Sequence, residues 1–146
     1  MTALVRQQAH LTLNLAQQAL QAALARAEEL GLRLSIALVD ASGLPVLTAH
    51  MDGAAQPCRE IALKKAGTAA AFDKPTGDWQ AYLEQSAPTV RQGLPLQTGL
   101  VLFGGGEPLR LDEAVIGAVG VSGASEAQDM LCARAAVERV RQLLAD

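Results

Sequence analysis

The sequence predicts an α+β fold, a five-stranded antiparallel sheet with helices packed on it. Three observations point there. The elements run helix, two strands, helices, three strands, helix, with no repeated strand–helix–strand unit of the kind a parallel sheet needs. The strands come in hairpins, with turn chemistry at Ala41-Ser42-Gly43-Leu44-Pro45 and at Asp112-Glu113. One helix is clothed so thinly in small side chains that it must lie close against something flat.

Each element has its own signal. Leu13 to Leu30 is rich in alanine, leucine and glutamine, all good helix formers; Thr12 or Asn14 can cap its start and Gly31 its end. Leu34 to Asp40 is a short apolar run suited to a buried strand, and Pro45 to Met51 is its hairpin partner. Pro57 suits a first helical turn, so a helix is expected from Arg59 to Phe72, stopped by Pro75. Its small residues are Ala62, Ala66, Gly67, Thr68, Ala69, Ala70 and Ala71. Asp78 to Gln85 predicts a short helix, and Ser86 to Thr98, punctuated by Pro88, Gly93 and Pro95, a loop. Leu100 to Phe103 reads as the third strand. After the Gly104-Gly105-Gly106 turn, Leu109 to Gly123 supplies a second hairpin. The last helix, Ala127 to Leu144, has Met130, Ala133, Val137, Val140 and Leu144 on one apolar stripe.

With 146 residues the chain suffices for one domain, 1–146, and is too short for two. The net charge of −3 and the 3% aromatic content leave neither a basic footprint nor stacking platforms, so nucleic acid is not expected as a partner. No apolar run reaches membrane-spanning length. Arg6, Gln7, Gln8 and His10 break the apolar start, so no secretory leader is expected; Cys58 and Cys132 lie far apart, which suits reduced thiols in a cytoplasmic protein.

The glycine run Val115 to Met130 raises the question of chemistry. Gly117, Gly120 and Gly123 recur every third residue. A dinucleotide fingerprint needs another spacing at a strand-to-helix turn, and a phosphate loop needs a lysine after the glycines. Gly120-Val121-Ser122-Gly123 misses the spacing of a nucleophile elbow. Glycines within a strand mark a close approach to the backbone, by a small-residue helix or by a flat ligand. Ser125 with Gln128 forms a capping box, and Asp129 favours the helix dipole.

Asp40-Ala41-Ser42-Gly43, Met51-Asp52-Gly53-Ala54, Lys64-Lys65-Ala66-Gly67-Thr68, Gly104-Gly105-Gly106-Glu107-Pro108 and Gly120-Val121-Ser122-Gly123 with Gln128-Asp129 together resemble the GlcG/HbpS family. It includes glycolate-utilisation-associated proteins, extracellular heme-binding proteins and the C-terminal domain of a corrinoid adenosyltransferase. The likeness runs from about Leu34 to Val140. It implies an α-β-α sandwich of profilin-like form, a homo-oligomer from dimer to octamer, and heme or a related tetrapyrrole as a small-molecule ligand.

On that footing, His50 is the first candidate for an axial ligand of heme iron, with His50 standing where arginine is common in such proteins. Met51 offers an axial thioether or core packing. Asp52 offers a proton-transfer group or a turn former. Cys58 precedes a helix start, where the dipole favours a thiolate. Arg59 and Lys65 could meet carboxylates or heme propionates, and Thr68, on the same helical face as Lys65, could line the pocket. Two functions follow: a heme- or tetrapyrrole-binding accessory protein, or an enzyme acting on a small carboxylic acid. In the second, Lys65 and Arg59 hold the carboxylate while Asp52 or His50 moves a proton. A purely structural oligomer is the third.

Overall fold

A computed structural model describes residues 2–145. Its sheet has four strands: β1 (Ser35–Asp40), β2 (Pro45–His50), β3 (Gly106–Leu111) and β4 (Ala114–Ser122), in the order β2-β1-β4-β3 with every pairing antiparallel. α1 (Leu13–Glu29) and α5 (Glu126–Leu144) cover one face, and α2 (Cys58–Phe72) the other. Two short helices, α3 (Trp79–Glu84) and α4 (Pro88–Gly93), join α2 to the second hairpin.

The alternation of the strands decides what each face buries. Ile36, Leu38, Val119 and Val121 face α1 and α5, where Leu20, Ala23, Cys132, Ala136 and Val140 complete the larger core. Ala37, Val39 and Ala118 face α2, and that core is nearly all alanine, with Ala62, Ala66, Ala69 and Ala70 supplied by the helix. The small-residue helix therefore lies on the sheet, as its composition predicts. Burial of Cys132 in the larger core, helped by the nearby Asp129 charge, pushes its thiol up to about 11, which leaves it a packing residue.

The sheet has four strands where the sequence predicts five. Leu100 to Phe103 has the apolar look of a strand but pairs with none. The Val101 N–H donates instead to Thr68 Oγ1 at 3.1 Å, so an α2 side chain takes the place of a ladder partner. The expected loop from Ser86 to Thr98 contains α4 and a 3₁₀ turn at Leu94–Leu96. Pro88, read as loop punctuation, stands at the start of α4, where a missing N–H costs nothing.

Both long flanking helices start on side-chain caps. Thr12 Oγ1 accepts the Leu15 N–H at 3.2 Å, settling the choice between Thr12 and Asn14. At α5, Ser125 Oγ accepts the Gln128 N–H and Gln128 Oε1 accepts the Ser125 N–H, a complete capping box. Ser125→Ala removes half of it and is expected to cost about 1 kcal/mol, read as a lowered melting temperature with unchanged near-ultraviolet dichroism.

Candidate functional site

The strongest candidate site grows out of the first hairpin. A turn at Ser42–Gly43 sets Ser35 opposite His50 across β1 and β2, and strand alternation points both side chains at α2. The Ser35 hydroxyl is hydrogen-bonded to His50 Nδ1, and His50 Nε2 lies 3.0 Å from the Ala54 carbonyl. A carbonyl can only accept, so Nε2 carries the ring proton. In the neutral imidazole Nδ1 then accepts from the Ser35 O–H. The Met51–Ala54 turn is itself closed by the Ala54 N–H on the Met51 carbonyl, which keeps the Ala54 carbonyl in place.

The pair borders a half-open cavity of about 310 Å³ between β2 and α2, lined by Ser35, Ile36, Thr48, Ala49, His50, Arg59, Glu60 and Leu63. The exposed Arg59 guanidinium has no ion-pair or hydrogen-bond partner among the described residues, whereas Glu60 is paired to Lys64 at 3.1 Å. The uncompensated charge at this opening is therefore positive. On the opposite face of the sheet, a larger cleft of about 540 Å³ lies between the end of β2 and α1. Met51 and Asp52 line it with Leu24, Leu32 and Arg33, but so does Glu28, so two carboxylates face that opening.

The sequence-predicted residues thus fall into three places. His50 and Arg59 share the α2-side cavity; Met51 and Asp52 border the α1-side cleft, whose rim His50 also touches. Cys58 is half-buried at the start of α2, one residue before Arg59, and lines neither. Lys65 and Thr68 are interior. Lys65 is 1% exposed, and its ammonium donates to the Val121 carbonyl at 2.8 Å and to Asp129 Oδ2 at 3.1 Å, with the Phe103 ring 5.0 Å away. Thr68 Oγ1 donates to the Lys64 carbonyl at 2.7 Å. Of the set suited to hold and protonate a small acid, Arg59 and His50 share the α2-side cavity, Asp52 and His50 border the α1-side cleft, and Lys65 lies apart from both.

Asp129 does more than favour a dipole. Its Oδ1 accepts the Ala124 N–H at 3.0 Å while Oδ2 holds Lys65. Burial pushes its carboxyl above the usual aspartate range, against the pull of the Lys65 ammonium. Ser35 and this role of Asp129 escaped the sequence reading. Ser35 had one available signal, the hairpin register, since residues equally far from the Ser42–Gly43 turn face each other.

Heme makes three demands on a site: apolar walls, cations for its propionates, and a ligand for its iron. The α2-side cavity offers Leu63 and the Thr48 methyl group as apolar surface, Arg59 as a cation, and His50 at the rim; Ile36 and Ala49 border it, but their side chains turn to the opposite core. The residues present fit the group, provided His50 Nε2 exchanges the Ala54 carbonyl for iron. Among the described residues no three His, Cys, Asp or Glu side chains converge on a bare metal site, and no helix is long and apolar enough to cross a membrane.

Comparison with known proteins places the chain. A 15.0 kDa protein of the dhaT-dhaS intergenic region of Citrobacter freundii is 36% identical over 94% of this chain and 97% of its own length. The corrinoid adenosyltransferase PduO of the same organism is 35% identical over 84% of this chain, which spans only 37% of that enzyme. Among solved structures, the Klebsiella pneumoniae protein ORFY superposes with a TM-score of 0.86 at 33% identity, covering 96% of this chain and 97% of that one. The PduOC:heme complex superposes with a TM-score of 0.81 at 34% identity, covering 89% and 94%. The family model described as haem degrading protein HbpS-like matches residues 11–138, and the chain belongs to the HbpS-like family.

Proposed function

We propose that the protein binds heme or a related tetrapyrrole in the cavity between β2 and α2, as an accessory protein of a bacterial catabolic or redox-related pathway. The observation that carries this is the meeting, at one half-open cavity, of His50 with Arg59, which has no partner among the described residues. The solved heme complex of a relative with the same fold supports it. Bound heme supplies a redox-active iron. The chain's own part is to hold it: Arg59 meets a propionate, Leu63 excludes water from one edge, and His50 turns Nε2 outward. In that arrangement Nδ1 carries the proton and donates to Ser35 Oγ, a support that orients a ligating imidazole. Exposed apolar side chains, Leu96 among them at 77%, support assembly into a homo-oligomer. A cytoplasmic location completes the proposal, in keeping with two unpaired cysteines, Cys58 and Cys132.

Hemin titration tests it. Wild-type protein should give a sharp Soret band that saturates at a fixed ratio. His50→Ala should displace the band. Arg59→Ala should weaken binding by about 10–100-fold, the loss of one charge-assisted contact. A broad, unsaturable band indifferent to both substitutions would end the proposal.

A further inference from the structure

The same site holds its side chains in an arrangement suited to a second chemistry. The Ser35 hydroxyl is hydrogen-bonded to His50 Nδ1, and His50 Nε2–H is anchored on the Ala54 carbonyl. A hydroxyl, a base with its lone pair turned to that hydroxyl, and a third group fixing the base's tautomer are the parts of an activated nucleophile. Here the third group is a main-chain carbonyl. When His50 takes up a proton, Nε2–H remains a donor to that carbonyl, and the bond strengthens as the ring becomes charged. Ser35 is only 2% exposed, yet it lines the cavity that opens past Thr48 and Arg59. That volume, about 310 Å³, lies at the small end of ligand sites.

We propose that Ser35 and His50 form a nucleophilic dyad that cleaves esters of short carboxylic acids. Ser35 Oγ attacks the ester carbonyl carbon as its proton passes to His50 Nδ1. The tetrahedral oxyanion forms on the side of the cavity where the unpaired Arg59 guanidinium lies. Its collapse breaks the carbon–oxygen bond to the alcohol, which leaves with the proton from Nδ1. Water then attacks the Ser35 ester, giving its proton to Nδ1. The carboxylic acid departs and Ser35 Oγ recovers its hydrogen, so the net reaction is ester plus water to acid plus alcohol. No metal, oxidant or second substrate enters. Leu63 and the Thr48 methyl group suit a short apolar acyl group.

The test uses the 146-residue chain without added hemin, with a small fluorophosphonate as covalent probe and p-nitrophenyl acetate as substrate. Intact-mass and peptide analysis should place one phosphonyl group on Ser35. Ser35→Ala should remove the label and the ester turnover. His50→Gln, which keeps a side-chain donor for the Ala54 carbonyl but supplies no base, should slow labelling by about 10²–10⁴-fold. Ser35→Cys serves if the alanine variant fails to fold: its thiol should be alkylated by iodoacetamide faster in the presence of His50 than with His50→Gln. Absence of label on Ser35 in protein with a wild-type melting curve overturns the dyad. So does labelling at an unchanged rate in His50→Gln. Neither result depends on whether hemin binds, so the dyad and the heme proposal can fail separately.

Discussion

Replacing Lys65 by methionine is expected to destabilise the fold by about 3–5 kcal/mol, because it strands a buried carboxylate. The two groups are 1% and 4% exposed and meet across the end of the sheet, Lys65 from α2 and Asp129 from α5. The ammonium also satisfies the Val121 carbonyl, so the variant loses a donor at two acceptors. For a chain of this size the loss corresponds to a melting temperature lower by roughly 6–20 °C. The deficit should depend on pH. Burial already raises the Asp129 carboxyl, and Lys65 is the largest force opposing that rise. Without Lys65 the carboxyl moves higher still. A carboxyl whose folded-state pKa exceeds its unfolded value favours folding in acid and loses that contribution as pH rises through the folded value. The variant should therefore approach wild type below the usual aspartate range and fall furthest behind at neutral pH and above. Adding Asp129→Asn removes the charge while leaving an oxygen for the Ala124 N–H, and should recover part of the loss. Denaturant melts of the three proteins at pH 4 and pH 8 check this. A Lys65→Met protein within 1 kcal/mol of wild type at both pH values would show the pair to be unimportant.

The same lysine shows what sequence can and cannot disclose. Local signals were readable: the alanine-rich helices, the Ser125–Gln128 capping box and both hairpin turns left their marks within a few residues of where they act. Leu100 to Phe103 misled because an apolar run says only that a segment is to be buried. Whether a strand or a side chain such as Thr68 satisfies its amides is decided 33 residues away in the chain. Lys65 and Asp129 are 64 residues apart, so the sequence offers one as a partner for carboxylates and the other as a helix-dipole charge, with nothing to join them. The site follows the same division. His50 and Arg59 could be singled out by residue type, and their shared cavity follows from α2 crossing the hairpin. Ser35 has no distinguishing neighbour in sequence and acquires its partner only through register. Met51 and Asp52 border a different cleft from Arg59, since the chain leaves β2 on the α1 side before it returns as α2.

The glycine run answers to the same packing, and it sets the second large effect. Gly120 lies in β4 directly beneath α2, and a Cβ added there would stand 1.9 Å from the Ala62 carbonyl oxygen and 2.7 Å from the Ala66 nitrogen. Both are backbone atoms of a helix whose own contact residues, Ala62, Ala66 and Ala69, are already stripped to a methyl group. No rotamer change relieves the overlap. The helix must lift, opening the alanine core along its length and disturbing the wall of the His50 cavity. Gly120→Ala should therefore cost about 3 kcal/mol, the upper range for one added methyl group in a packed core. Gly67 provides the opposite case on the partner element. It lies within α2, where an added Cβ would meet nothing within 4 Å, so Gly67→Ala should stabilise by about 0.5–1 kcal/mol through helix propensity alone. The pair separates two explanations for glycine in this region. If glycine served flexibility or ligand approach, both substitutions would be tolerated by the fold and would differ only in binding. If it serves the close approach of α2 to the sheet, urea midpoints must move in opposite directions, and a Gly120→Ala protein as stable as wild type would refute it.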